Sequence, residues 1–324
     1  MNLVIVGSIG LDDIKTPFGK VEGVLGGSAV YAASAASYFI KPGLISIKGN
    51  DLPDEKLRIC GADLKGLQSH EKTFRWSGCY EFDMNEAKTL DTTLNSLANF
   101  RPQVPKEYLK SKYVLLGNMD PEVQLEVINQ IKNGRHCKVA KGNCGNPLES
   151  KIASSQTSRN DRDVFIITDT MNYWIASKKD KLLEVLSNTH FAILNEGEAR
   201  QLTGNPNLIK AGKQLLDLGP KYVAIKKGEH GALLFSNNEI FSAPSYPLED
   251  LVDPTGAGDS FAGGAAGYLS KTNDTSWDNI KKAIIYGSSI ASFCAESFSL
   301  DYKKRVSIKN IEERNEIFRK IREF

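Results

Sequence analysis

Short runs of apolar, largely β-branched residues alternate with longer helical patterns, and this alternation constrains the fold more than any other feature of the chain. The runs are continuously apolar, which is typical of strands buried on both faces of a parallel sheet. They lie at 3–9, 43–47, 113–117, 164–168, 191–194 and 222–226. Helical patterns lie at 28–39, 121–132, 174–187, 196–203, 207–218, 259–270, 277–296 and 308–323. This order predicts a doubly wound α/β fold with right-handed crossovers.

Two segments depart from this alternation. Residues 13–25 and 71–95 show turn signals or polar alternation without a helical period, and they predict antiparallel strands that project from the main domain. Ligands of open α/β sheets bind beyond the carboxyl ends of the strands, so a small β-layer there would form a lid. A dimerisation flap is the alternative, and both roles are compatible. Arg75, Trp76 and Tyr80 in this layer are candidates for contact with the substrate, but packing against a partner strand is the plainer interpretation, so they are left out of the expected site.

The bulk composition excludes several classes of function. The 324-residue chain has a formal net charge of +2, which gives no field for binding nucleic acid or an anionic membrane. It contains no apolar run long enough to span a membrane, and its start does not have the pattern of a signal peptide. We therefore expect a cytoplasmic protein. Residues 134–163 are polar and rich in Gly, Asn and Ser, and they predict a long loop or insertion.

The five cysteines are odd in number and scattered, which disfavours disulfides in a chain without signs of export. Cys137 and Cys144 lie near His136, but their spacing matches no zinc pattern. We interpret them as free thiols in or near a loop.

The stretch LVDPTGAGDSFAGG, at 251–264, carries the clearest chemical signal. It is neither a Walker loop nor a dinucleotide fingerprint, because no Lys follows the glycines and Phe261 occupies the place of the third glycine. Glycines before a helix let successive amides converge on one point, and the helix N-terminus adds positive potential, so an anion hole is expected. Asp259 at its edge is predicted to act as a general base in phosphoryl transfer, and the alternative is that it caps the helix.

The sequence DPTGAGDSFAGG closely resembles the C-terminal signature of the ribokinase-like, or PfkB, carbohydrate kinase family. The resemblance implies one domain over residues 1–324, built as a three-layer sandwich with a central, mostly parallel sheet and a β-sheet lid. It also implies that Asp259 is the catalytic base and that Gly256, Ala257 and Gly258 form the anion hole. Asp253 and Thr255 match positions that bind an activating monovalent cation such as K⁺ in many members.

Two further matches concern the phosphate acceptor. Asp12 follows the first strand where family members bind substrate hydroxyls, and Asp13 is the alternative candidate. Gly26 and Gly27, in LGGSAVYAA, resemble the di-glycine signature that lets the substrate approach the backbone. Many sugar kinases of the family have asparagine where this chain has Tyr31. A ring at this position implies an aromatic base in the substrate or a different polar network.

The nucleotide side is matched by LNEGEARQLTG and AIKKGEHGALL. Asn195 and Glu198 resemble the N-x-x-E motif, in which the glutamate acts on Mg²⁺ through water, although the acids here could also simply complement a helix dipole. Gly228 matches a nucleotide-contacting glycine. Lys226 replaces a common Thr or Ser, and it would either reach phosphate or be solvated. Residues 286–298 match the adenine-packing region, with a buried helix face as the plainer interpretation.

These features together predict an ATP- and Mg²⁺-dependent carbohydrate kinase that phosphorylates a hydroxyl of a small sugar. A nucleoside kinase of the same fold is the nearest alternative, and a catalytically silent ligand-binding member is a more distant one. The lid segments argue against the lidless kinases of vitamin precursors. The expected partners are a small sugar or nucleoside and, through the lid, a second copy of the chain, but neither nucleic acid nor membrane.

Overall fold

The computed structural model describes residues 1–136 and 164–321. Its larger sheet has nine strands in the order β13-β12-β11-β10-β9-β8-β1-β4-β5. These strands are β1 (Leu3–Val6), β4 (Gly43–Lys48), β5 (Asp63–Ser69), β8 (Tyr113–Leu116), β9 (Phe165–Asp169), β10 (Phe191–Asn195), β11 (Tyr222–Lys226), β12 (Ala232–Phe235) and β13 (Ile240–Ala243). Neighbouring strands from β5 to β11 are parallel, and β12 and β13 pair antiparallel at one edge.

Helices cover both faces of this sheet. They are α1 (Ser28–Ala36), α2 (Asp54–Leu57), α3 (Pro121–His136), α4 (Asn172–Ser177), α5 (Lys179–Ser187), α6 (Glu196–Thr203), α7 (Leu208–Asp217), α8 (Ala257–Thr272), α9 (Trp277–Ala295) and α10 (Ile308–Ile321). The side chains of β1 show why the fold has three layers. Leu3 and Ile5 belong to the apolar cluster shared with α1, α8 and α9, whereas Val4 and Val6 belong to the cluster under α3. Both faces of the strand are buried, as continuous apolar runs predict.

A second sheet of four strands lies in the order β3-β2-β6-β7. Its strands are β2 (Gly10–Thr16), β3 (Gly19–Gly26), β6 (Phe74–Tyr80) and β7 (Ala87–Thr93). The two segments that break the α/β alternation therefore do pair with each other, through the parallel strands β2 and β6. We call this unit the small sheet.

The predicted elements are confirmed, with shifted ends. The first strand stops at Val6 instead of residue 9, because the chain turns there into β2. The single helix expected over 174–187 is two helices separated at Lys178. Three strands were not predicted: the edge strands β5 and β13, and β12, which lies next to β13. They are short or have a mixed apolar pattern.

Parts of two sequence predictions fall outside the described residues. Most of the 134–163 segment, with Cys137 and Cys144, belongs to this part, and so does the end of the last predicted helix. Within the described ranges, no helix is both long and apolar enough to cross a membrane.

Helices α1 and α8 approach each other closely because small residues face each other. A Cβ atom added at Gly263 of α8 would lie 2.1 Å from the carbonyl oxygen of Ala32 and 2.4 Å from its Cα atom. At Gly267 the added atom would lie 2.7 Å from the Cα of Ala36. This contact fixes the start of α8 against the start of α1.

The substitution Gly263→Ala tests this contact. Backbone atoms of Ala32 cannot move aside, so we expect the free energy of unfolding in urea to fall by roughly 1–3 kcal/mol, as in other overpacked sites. Alanine's helix propensity alone would instead stabilise α8 by about 1 kcal/mol.

Gly134→Ala in α3 is the matched control, because the three atoms nearest to an added Cβ there belong to the side chain of Leu109 and not to the backbone. Equal stability changes in the two variants would contradict the account of α1–α8 packing.

Candidate active site

The carboxyl ends of the parallel strands bring polar side chains to one edge of the large sheet. Strand β9 ends at Asp169, β10 ends at Asn195 and β11 ends at Lys226. The chain that leaves β1 enters the small sheet at Gly10, and Asp12 lies two residues further on. Ligands of doubly wound sheets bind at this edge.

Residues 255–258, which we call the glycine loop, lie above this edge at the start of α8. Gly256 is the N-cap residue, with φ of 76°, and no side chain caps the helix. Glycine is needed here because of the left-handed conformation and because an added Cβ would lie 2.4 Å from ring atoms of Tyr31. The amide of Ala257 donates to the carbonyl oxygen of Pro254 at 3.0 Å, whereas the amides of Gly258 and Asp259 have no acceptor within the described ranges, so these two remain available to an anion. Asp259 lies in the first turn and is not the capping residue, so the capping interpretation does not hold.

Two carboxylates of this region, Asp12 and Asp259, accept no hydrogen bond from the side chains and backbone of the described ranges. Burial raises the pKa of Asp259 to about 7; Asp169 raises it further and Lys226 opposes the rise. Burial also raises the pKa of Asp12 to about 7, with added repulsion from Asp253, Asp259 and Asp13. Buried polar groups are normally satisfied, so two unpaired acids mark a place prepared for a ligand.

The structure separates the two candidate acids of β2. Asp12 is 3% exposed, and its carboxylate touches Gly26, where an added Cβ would lie 1.8 Å from Oδ2. Asp13 is more exposed, and its Oδ1 accepts a hydrogen bond from the amide of Gly23, at 2.6 Å. Gly27, with φ of 99°, brings the start of α1 against the carbonyl oxygen of Ser8. Asp12 thus faces the site and Asp13 stabilises a turn.

Tyr31 was expected to influence the acceptor, but it is buried under the glycine loop. Its ring is 1% exposed and packs under Gly256, and within the described part of the chain its buried hydroxyl has no hydrogen-bond partner. Its visible role is to support the glycine loop.

A buried ion pair that the sequence analysis missed lies beside the loop. Lys226 Nζ donates to Asp169 Oδ2 at 3.1 Å and to Oδ1 at 3.3 Å, and the amide of Thr170 also donates to Oδ1. The ammonium group lies 3.1 Å from where a Cβ of Gly258 would be, so its positive charge reaches the glycine loop. The signal in the sequence was an acid directly after a buried strand, in VFIITD.

Asn195 and Glu198 form a capping box at the start of α6. Asn195 Oδ1 accepts from the amide of Glu198 at 2.8 Å, and Glu198 Oε2 accepts from the amide of Asn195 at 2.7 Å. Burial raises the pKa of Glu198 to about 8, Lys226 lowers it, and Asp169 raises it. The capping box has a structural role. It uses only Oε2 of Glu198, so Oε1 of this buried carboxylate remains close to Lys226 and Asp169.

The small sheet contacts two parts of the site, the glycine loop and the turn at Gly228. Thr255 Oγ1 donates to the hydroxyl of Tyr80 at 3.2 Å, which joins β6 to the glycine loop. In the β6–β7 connection, Asn85 Oδ1 lies 2.8 Å from the position of a Cβ on Gly228. Tyr80 therefore contacts more than a partner strand, which corrects the sequence-based interpretation.

The region matched to adenine packing lies mainly in α9. An added Cβ at Gly264 of α8 would lie 3.2 Å from the Cα of Gly287, so the small residues serve at least the α8–α9 crossing. Among described residues, no group of three or more His, Cys, Asp or Glu side chains has the arrangement of a metal site.

Comparison with known proteins identifies the family. Residues 117–304, more than half of the chain, match the model of the pfkB family of carbohydrate kinases. The chain belongs to this family. It is therefore a phosphotransferase with a hydroxyl acceptor, and the resemblance noted in its glycine-rich signature is confirmed.

Three relatives show how far the similarity extends. A cytidine kinase of Thermococcus kodakarensis is 29% identical over 275 residues, which cover 83% of this chain and 88% of the relative. The structure of a Methanocaldococcus jannaschii nucleoside kinase superimposes with a TM-score of 0.70 at 19% identity, covering 98% of this chain and 99% of the other. Arabidopsis thaliana ribokinase, complexed with ribose and ATP, gives 0.70 at 18% identity, with coverage of 97% and 98%. The predicted fold class is thereby confirmed.

The pKa of Asp12 predicts a pH-dependent stability. The carboxyl titrates near 7 in the folded protein and near 3.8 in the unfolded chain, so folding takes up a proton between these values. Stability is then greatest below the unfolded pKa and falls as the pH rises through about 7. We expect Asp12→Asn to be more stable than the wild type at about pH 8, by up to roughly 4 kcal/mol, and similar to it near pH 4.

Urea denaturation of the unliganded protein at the two pH values measures this difference. Asp13→Asn, at the exposed turn, is the control and should show no such pH-dependent gain. A wild-type protein as stable as Asp12→Asn at the higher pH would show that Asp12 is not buried with a raised pKa.

Proposed function

We propose that the protein transfers the γ-phosphoryl group of ATP to a hydroxyl of a small sugar, with Asp259 as the general base. The observation that carries this proposal is the position of Asp259. Its unpaired carboxylate, with a pKa of about 7, lies in the first turn of a helix whose amides no side chain caps. A nucleoside is the alternative acceptor, and it is favoured by the names of the cytidine and nucleoside kinases among the relatives.

The chemical step follows from this arrangement. Asp259 accepts the proton of the acceptor hydroxyl while the acceptor oxygen bonds to the γ-phosphorus and the bond to the β-phosphate oxygen breaks. We assign the stabilisation of the charge that develops on the transferring group to the amides of Gly256, Ala257 and Gly258, of which that of Ala257 donates to the carbonyl oxygen of Pro254 in this structure. Lys226, held by Asp169 beside Gly258, adds a positive charge at the same place.

Asp12 is proposed to hold the acceptor. A carboxylate that accepts no internal hydrogen bond can accept two from neighbouring hydroxyls, which suits a vicinal diol. Gly26 and Gly27 keep this side of the site free of side chains, so the acceptor can lie against the backbone. Tyr31 would contribute from below, by supporting Gly256.

Asn195, Glu198 and Gly228 fit the binding of a magnesium–nucleotide complex. Mg²⁺ keeps several waters and uses few protein carboxylates, and it would neutralise phosphate charge in the transition state. Glu198, through water, is the proposed contact to the metal. Asn195 and Gly228 are proposed to border the phosphates and the nucleotide, and residues 286–298 the adenine ring.

Asp253 is proposed as a ligand of a monovalent cation such as K⁺. The side chain is completely buried, and its Oδ1 accepts from the amide of Thr255 at 2.9 Å. Its Oδ2 has no hydrogen-bond partner in the described part of the chain. A buried carboxylate oxygen without a partner is a suitable ligand for a cation.

The small sheet is proposed to act as the lid and as a dimerisation surface. It contacts the glycine loop through Tyr80, so its position determines whether water reaches Asp259. Its edge strand β7 is exposed along its length, and Leu90 is 63% exposed and Phe82, in the preceding connection, is 97% exposed. Exposed apolar side chains on an unpaired edge suit contact with a second copy of the chain.

The substitution Asp259→Asn tests the proposed base. Asparagine cannot accept the hydroxyl proton, so we expect turnover to fall at least about 100-fold, with unchanged folding and ATP affinity. Acceptor-dependent ATP consumption is measured over a panel of pentoses, hexoses and nucleosides.

Asp13→Asn is the control and should retain turnover within about twofold, because Asp13 points away from the site. Near-normal turnover by Asp259→Asn would rule out the proposed mechanism.

The pKa values also predict a pH profile. The base acts in its deprotonated form, so kcat/KM should rise with pH and level off above about 7. Because Asp12 and Asp259 interact, the apparent pKa belongs to the pair. A value of kcat/KM that stays constant from about pH 5 to about pH 8 would contradict a base with a raised pKa.

A further inference from the structure

One face of the small sheet carries aromatic side chains next to Asp12. Strands β2 and β6 are parallel, with Gly10 opposite Phe74, Asp12 opposite Trp76 and Ile14 opposite Gly78. Side chains of paired residues lie on the same face of a sheet, and alternate residues of one strand share that face. Asp12 and Trp76 are therefore neighbours on one face.

This face is directed at the catalytic centre. Tyr80 lies two residues after Gly78 on the same face, and its hydroxyl accepts the hydrogen bond from Thr255 of the glycine loop. The charge on Asp12 interacts with those on Asp253 and Asp259. Trp76 thus lies beside the residue that is proposed to hold the acceptor.

The indole of Trp76 is held flat on this face. Its six-membered ring covers Gly78, where an added Cβ would lie 2.2 Å from Cη2 and 2.3 Å from Cζ2. Trp76 Nε1 donates to Thr89 Oγ1 of the neighbouring strand at 3.2 Å. The residue is only partly buried, and in the described ranges no aromatic ring or cation packs on it.

We infer that the acceptor is a nucleoside whose base stacks on Trp76. This inference rests on the proposed function and selects the nucleoside from its two candidate acceptors. In a nucleoside the 2′,3′-diol and the 5′-hydroxyl occupy different sides of the ribose, and the base is attached next to the diol. With the diol at Asp12 and the 5′-hydroxyl at Asp259, the base extends towards a strand that flanks Asp12. Of these two strands, β3 places Val24 opposite Asp12 and β6 places Trp76 there, so β6 offers the aromatic surface.

A free sugar would make no use of this arrangement. The glycine at position 78 and the bond to Thr89 hold a large apolar ring in one orientation, at the cost of leaving it partly in water. A planar base covers such a ring and excludes that water. Stacking tolerates different bases, so Trp76 selects nucleosides as a class and not one base.

The test combines kinetics with tryptophan fluorescence, with cytidine, adenosine and D-ribose as probes. In Trp76→Ala, we expect KM for both nucleosides to rise at least about tenfold, while kcat changes much less. In Trp76→Phe, which keeps a ring, KM should stay within about threefold of the wild type.

Fluorescence reports binding without turnover. The chain has three tryptophans, and nucleosides should quench the fluorescence of the wild type and of Trp277→Phe but not that of Trp76→Phe. Trp277 is a suitable control because it stacks on Tyr222, outside the site.

The outcomes separate this inference from the proposed function. A wild type that phosphorylates D-ribose as efficiently as the nucleosides, or a Trp76→Ala variant with unchanged KM for them, would overturn the inference and leave a sugar kinase. If no probe stimulates ATP consumption, the proposed function fails. In that case, fluorescence quenching that depends on Trp76 would still support a nucleoside site. Absence of this quenching would overturn the inference.

Discussion

The close approach of helices α1 and α8 determines how the two glycine-containing backbone segments of the site lie against each other. Glycine and alanine face each other at this crossing, so the two backbones come into contact and no side chain separates them. Helix α1 begins directly after Gly27, and α8 begins directly after Gly256. Packing the helices against each other therefore places the backbone at Gly27, the proposed acceptor side, next to the amides at the start of α8, the proposed phosphate side. Tyr31, on α1, fills the space under Gly256 and fixes the height of the loop.

The electrostatics of the site follow from this geometry. Burial raises the pKa of both Asp12 and Asp259, and repulsion from Asp259 raises that of Asp12 further. Neither carboxylate has a hydrogen-bonded partner among the described residues. Such an arrangement costs stability in the empty protein and becomes favourable when hydroxyls and a phosphoryl group arrive. Lys226 is treated differently, since Asp169 neutralises and orients it. The fold thus pairs Lys226 with Asp169 and leaves the carboxylates of Asp12 and Asp259 without an internal partner among the described residues.

Much of the large sheet could be predicted because its strands are continuously apolar and its helices follow them in order. Strands β5 and β12 escaped prediction because β5 mixes polar and apolar residues and β12 has only four residues. In the site, the positions of Asp12 and Asp259 followed from motifs that a single sequence displays. Asp169 did not, since an acid after a strand carries no motif, and its partner Lys226 is 57 residues away.

The small sheet shows a second limit of sequence-based prediction. Its two segments were recognised, but their register was not, and the register alone brings Trp76 beside Asp12. Register depends on how two distant segments pair, which the local pattern of either one does not specify. The contact of Tyr80 with Thr255 likewise required the three-dimensional arrangement.

A structure of the protein with a non-hydrolysable ATP analogue and an acceptor tests the central claim most directly. The measured quantity is the distance between the Asp259 carboxylate and the acceptor hydroxyl nearest the γ-phosphorus. The account predicts hydrogen-bond distance, about 2.6–3.2 Å, with the γ-phosphate oxygens at the amides of Gly256–Gly258. A hydroxyl out of reach of Asp259 without a bridging water, or a γ-phosphate bound away from these amides, would contradict it.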